Sequence, residues 1–85
     1  MNTQDQVREK VKAYIRDATF GDKGKLSDNT LIFREGYFDS MGFVSLIAFL
    51  EDKFSVHTID EDLIEENFES INAITHFISM KNGLN

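Results

Sequence analysis

Apolar residues recur along three stretches of this chain with the period of a helix buried on one side. Val7, Val11, Ile15 and Ala18 fall at steps of four, four and three, with Tyr14 beside them. This spacing predicts an amphipathic helix over residues 4–18. Thr3-Gln4-Asp5-Gln6 has the spacing of a capping box at its start, and Gly21-Asp22-Lys23-Gly24-Lys25 ends it. Residues 39–54 form a second predicted helix, with Asp39 as its N-cap. On its wheel Phe43, Leu46, Ile47, Leu50 and Phe54 share the core face. Met41, Val44 and Ala48 make a second apolar stripe at i, i+3 and i+7, flanked by Ser45 and Asp52. A helix with two apolar faces in so short a chain serves either a large core or a binding face. Ser70 caps the last helix, where Ile71, Ile74 and Ile78 again fall at i, i+3 and i+7. Phe77 and Ala73 join that face, and Gly83 stops the helix.

The segments between are less regular. Residues 19–38 show neither a helical nor an alternating period, yet they carry Phe20, Leu26, Leu31, Ile32, Phe33, Tyr37 and Phe38. A loop that apolar is expected to pack over the core. Thr58-Ile59-Asp60-Glu61 repeats the capping-box spacing and predicts a short acidic helix with Leu63 and Ile64 as its apolar side. The sum is all-α: a small four-helix bundle of three longer helices and one short helix, with a long first loop.

Composition narrows the class. At 85 residues, the chain is read as a single domain over 1–85, and 41% hydrophobic residues suffice for its core. There is no cysteine, so disulfides, thiolate metal sites and a cysteine nucleophile are excluded. A net charge of −6 removes the basic footprint that nucleic acid or anionic lipid would need. The longest apolar run, residues 43–50, is too short to span a bilayer. The first ten residues are too polar for a secretory signal, so the expected compartment is the cytosol. Charge is also unevenly spread. Residues 35–69 hold ten acids and one base, Lys53, whereas residues 1–34 hold seven bases and five acids. The acidic block is either a solvated face or a docking surface for basic partners.

Candidate chemistry is sparse. Asp60, Asp62 and Glu65 fail the calcium-loop pattern, because its fifth and sixth positions are Ile64 and Glu65. His57 and His76 stand far apart with no third ligand, so no metal site is expected. No serine lies in a nucleophile-elbow pattern, and no catalytic set converges. What remains is Gly36-Tyr37-Phe38-Asp39-Ser40-Met41-Gly42. Ser40 stands directly after a helix cap, where free N–H groups and the positive dipole end favour a phosphate. An ordinary helix-start serine is the other reading of the same position.

Asp39-Ser40-Met41 at the start of an amphipathic helix resembles the Asp-Ser-Leu signature of acyl carrier proteins and related thiolation domains. Val44, Leu46, Ile47, Leu50, Glu51 and Phe54 follow that family's second helix without gaps. Asn67-Phe68-Glu69-Ser70-Ile71, then Ala73, Ile74 and Ile78, resemble the start of its fourth. The resemblance covers essentially the whole chain. It implies a non-catalytic carrier with 4′-phosphopantetheine, taken from coenzyme A, joined to Ser40 and holding acyl or aminoacyl groups as thioesters. Asp39 would help present Ser40 to a phosphopantetheinyl transferase. Met41, Val44 and Ala48 would meet apolar patches on partner enzymes, with Glu51, Asp52, Asp60, Glu61, Asp62, Glu65 and Glu66 as the acidic rim. Those partners are the transferase, a loading enzyme and downstream transferases or synthases, and the carrier itself is expected to be a monomer.

Some positions depart from the fatty-acid-synthase pattern. Gly42 and Ser45 stand where such carriers usually have acids, and Ile59 where they have proline. The order Gly-apolar-apolar-Asp-Ser-apolar-Gly looks more like carriers loaded by adenylating enzymes, including D-alanyl and peptide-synthetase-type carriers. The alternative of another class is an unmodified acidic adaptor that binds a protein through the Met41, Val44 and Ala48 face.

Overall fold

The computed structural model describes residues 4–19 and 26–83. In chain order, α1 is Gln4–Ala18, α2 is Ser40–Phe54, α3 is Glu65–Phe68 and α4 is Ile71–Lys81. A 3-10 turn over Asp60–Asp62 precedes α3. Among the described residues there is no strand, so the all-helical expectation holds.

Each long helix forms where its apolar period says it should. Val7, Val11 and Ile15 of α1 are fully buried and face α4. Leu46, Leu50 and Phe54 of α2 are buried, while Phe43 and Ile47 are half-buried against the same core. Ile71, Ile74, Phe77 and Ile78 are the inward face of α4. Asp39 and Ser70 both act as side-chain caps: Gly42 N donates to Asp39 Oδ1 at 2.8 Å, and Ala73 N to Ser70 Oγ at 3.1 Å. At the other end of α4, Gly83 takes a left-handed φ of +71° just past the last turn. The expected cap at Thr3, the stop at residues 21–25 and the packing of Phe20 lie outside the described residues.

Rings tie the elements together. Tyr14 stacks on Phe49 with centroids 4.1 Å apart, joining α1 to α2. Phe68 of α3 meets Phe43 of α2 at 5.5 Å and Phe77 of α4 at 5.0 Å, both edge to face. Polar contacts tie the first loop to α1 and α4. Asn72 N donates to Asp28 O at 3.0 Å, Arg8 Nε reaches Asn72 Oδ1 at 3.3 Å, and Lys12 pairs with Asp28 at 3.3 Å.

The segment before α4 departs from expectation. Thr58 does not cap a helix. Its hydroxyl and N–H both donate to Glu51 Oε2, at 2.6 and 3.1 Å. The turn instead starts at Ile59, whose N–H donates to Asp62 Oδ2 at 3.0 Å. Leu63 and Ile64 are not the apolar side of a helix. They lie between the 3-10 turn and α3, 42% and 47% exposed, and Phe68 is the residue that anchors this segment in the core. Too few consecutive residues obey one helical period here for local preference to win.

Candidate functional site at Ser40

The loop before α2 sets the site. Residues 32–37 close in a Schellman-type turn: Tyr37 N donates to Ile32 O at 2.9 Å and Gly36 N to Phe33 O at 3.3 Å. Gly36 takes φ +83°, a conformation that side chains disfavour. That reversal sends Tyr37 and Phe38 inward, both 5% exposed, and turns the chain so that Asp39 meets the first amides of α2. Ile32, itself buried, is held from the far side by its N–H to Glu69 O at 2.9 Å.

Phe38 also explains Gly42. A Cβ at position 42 would lie 2.8 Å from Phe38 Cδ2 and 3.3 Å from its Cγ. The ring occupies the space that any side chain would need, so the missing acid at this position follows from packing.

Ser40 is the first residue of α2 and is exposed. Asp39 Oδ1 takes the Gly42 amide and Asp39 O that of Phe43, so the Ser40 and Met41 amides keep no acceptor within the helix. Ser40 opens into a groove of about 710 Å³ shared with Phe33, Arg34, Phe38, Asp39, Phe43, Val44, Leu63 and Glu65. Its apolar wall is a set of edge-to-face rings, Phe33 against Phe38 at 6.0 Å and against Phe43 at 5.6 Å. At its rim Arg34 Nε donates to Glu65 Oε2 at 2.9 Å. That hydrogen bond, with the charges of Glu65, Glu69 and Glu66, raises the guanidinium pKa further.

The structure places Met41, Val44 and Ala48 together on the open face of α2, with Met41 73% and Val44 62% exposed. Leu63 continues this surface, sharing a shallow hollow with Val44, Ala48 and Glu51. The acids divide into two sets. Asp52, Asp60, Glu61 and Glu66 are exposed. The other three have partners. Two hydrogen bonds from Thr58 hold the Glu51 carboxyl below its ordinary pKa. Asp62 pairs with Lys81 Nζ at 2.6 Å, and this contact, with the Ile59 N–H, holds it below the ordinary range. Glu65 pairs with Arg34. Phe38 belongs to the run singled out in the sequence, whereas nothing in the sequence pattern places Phe33, Arg34 or Leu63 at this site. The one available signal was Gly36, whose turn brings residues 33 and 34 back beside Ser40.

No protein-family model and no curated protein matches the chain. Among solved structures, an acyl carrier protein from Enterococcus faecalis aligns over 94% of this chain and 99% of its own, with TM-score 0.75 and 25% identity. The fold is acyl-carrier-like. The likeness supports a carrier role of the kind that works by interaction with partner enzymes. No helix among the described residues is long and apolar enough to cross a membrane.

Proposed function

We propose that the protein is a carrier whose Ser40 hydroxyl holds 4′-phosphopantetheine from coenzyme A, with acyl or aminoacyl cargo on the far end as a thioester. The observation that carries this reading is Ser40 itself. It is exposed at the first position of α2, behind a working Asp39 cap, at the mouth of a groove, in an acyl-carrier-like fold. The residues present fit the group: Ser40 is exposed, the neighbouring amides lack helical acceptors, and the groove has room for a flexible arm. When bound, the arm supplies the thiol that a cysteine-free chain lacks. Asp39 fixes the start of α2 and so the position of Ser40 for the transferase.

The exposed Met41, Val44 and Ala48 face supplies apolar contact to partner enzymes, and Asp52, Asp60, Glu61 and Glu66 supply the acidic rim. Glu51, Asp62 and Glu65 act in that rim mainly by shaping it, since each is already hydrogen-bonded or paired. Gly42, fixed by Phe38, and Ser45 leave the first turns of α2 without acids. This favours an adenylating loading enzyme and aminoacyl cargo over the partners of primary fatty-acid synthesis.

The test is intact mass after incubation with coenzyme A and a broad-specificity phosphopantetheinyl transferase. The wild type gains the mass of one phosphopantetheine, and S40A gains none. A wild type that stays unmodified, yet binds a partner through the Met41 face, returns the protein to an unmodified adaptor.

A further inference from the structure

Two grooves flank the start of α2, and they differ in charge. The larger is lined by Ser40 together with Arg34. The other, of about 310 Å³ on the α1 side, is lined by Tyr14, Tyr37, Asp39, Met41 and Ser45 among others, and among the described residues its lining holds no base. Among the described residues, Arg34 is the cation that shares a cavity with Ser40. Lys53, the only base in the acidic block, lies at the far end of α2 beside Lys10 and Tyr14.

Arg34 is also only half used. Its Nε donates to Glu65 Oε2 at 2.9 Å, and among the described residues its two terminal amino groups have no hydrogen-bond or ion-pair partner. A guanidinium offers five donors in a planar fork. With Nε fixed on Glu65, the plane is held and the Nη edge stays open. The side chain is 69% exposed, so those donors are hydrated and ready to exchange water for an anion. The Schellman-type turn at Gly36 fixes the course of the chain between Arg34 and the start of α2.

We propose that Arg34 is a phosphate-binding residue: its terminal amino groups take the non-bridging oxygens of the phosphodiester on Ser40, while Nε stays on Glu65. This rests on the carrier reading of Ser40. Arg34 then anchors the root of the arm on the side of Phe33, Phe43 and Leu63, away from the groove on the α1 side. Glu65 is the positioning residue, because it fixes the guanidinium plane.

The experiment uses the full chain, unmodified and modified, as wild type, R34Q and R34K, with mass spectrometry confirming complete modification of each. Three quantities are read: the phosphorus-31 shift of the phosphodiester, the nitrogen-15 and proton signals of the Arg34 side chain, and the change in melting temperature on modification. In the wild type the Arg34 signals move on modification, and the phosphorus resonance differs from that of a phosphopantetheinyl serine peptide. In R34Q the phosphorus resonance returns to the peptide position. The gain in melting temperature on modification is smaller there by about 2–4 °C, the size of one exposed charge-assisted contact in a domain this small. R34K keeps part of both effects. Equal phosphorus shifts and equal melting gains in wild type and R34Q, both folded by circular dichroism, overturn the role of Arg34 and leave the carrier reading intact. Failure of the wild type to gain mass overturns both.

Discussion

At the scale of single residues, α2 separates into two kinds of apolar position. Leu46 and Leu50 are fully buried, whereas Met41 and Val44 are mostly exposed. Deleting most of a buried leucine removes apolar surface and leaves a cavity, so L46A and L50A should each lose about 2–5 kcal/mol. M41A and V44A should stay within about 0.5 kcal/mol in stability, and their effect should fall on the rate of modification or loading. Denaturant melts of the four variants check this; a V44A variant as unstable as L50A would mean that the stripe belongs to the core. The wheel placed these residues correctly because a 3.6-residue period decides which side of a 15-residue helix is dry. It did not separate the half-buried Phe43 and Ile47 from the buried positions, because a wheel holds no information about where neighbouring elements end. Gly42 is a similar case. Its role depends on a ring four residues earlier, which only the turn at Gly36 brings beneath it.

At the scale of elements, α1 was legible from its period, and α2 and α4 from period and cap together. The segment from Thr58 to Phe68 was not, because its structure is decided by contacts distant in sequence: Thr58 with Glu51, Asp62 with Lys81, and Phe68 with Phe43 and Phe77. Those contacts carry a pH dependence whose sign is fixed. Lys81, first, and the Ile59 N–H hold Asp62 below its ordinary 3.8, and Thr58 holds Glu51 below its ordinary 4.5. A carboxyl with a lowered pKa in the folded state contributes stability above its unfolded pKa, and that contribution is lost as pH falls through the folded value. Stability should therefore be flat near neutrality and fall as pH drops below about 4. D62N can still accept the Ile59 N–H through its amide oxygen but loses the charge paired with Lys81. It should be less stable at pH 7 and have a shallower acid limb than the wild type. Chemical denaturation between pH 7 and pH 2.5 measures both. An acid limb equally steep in D62N would place the titration elsewhere.

At the scale of the whole molecule, folding changes the charge pattern seen in the sequence. Two bases from outside residues 35–69 come onto that block, Arg34 on Glu65 and Lys81 on Asp62. Asp52, Asp60, Glu61 and Glu66 stay exposed and outside any ion pair at the α2 and α3 side of a body 32 × 26 × 19 Å in extent. Like charges this close repel one another, which costs stability, and a basic partner surface gains from the same field before contact. Exposed charges are screened beyond about 8 Å at physiological ionic strength, so the gain should appear in the association rate and shrink with salt. The paired acids are poor choices for testing this, since reversing Asp62 or Glu65 breaks an ion pair as well as changing the field. Glu61 and Glu66 are exposed, and among the described residues their side chains make no hydrogen bond or ion pair; the same holds for Glu9 and Asp17 on α1. The double reversals E61K/E66K and E9K/D17K alter net charge equally. If the α3 side steers the transferase, E61K/E66K should lower the apparent second-order rate of modification several-fold more than E9K/D17K, and the difference should close as salt rises. Equal slowing by the two pairs would mean that only total charge matters, and a rate indifferent to salt would make the acidic side a solvated face with no part in docking.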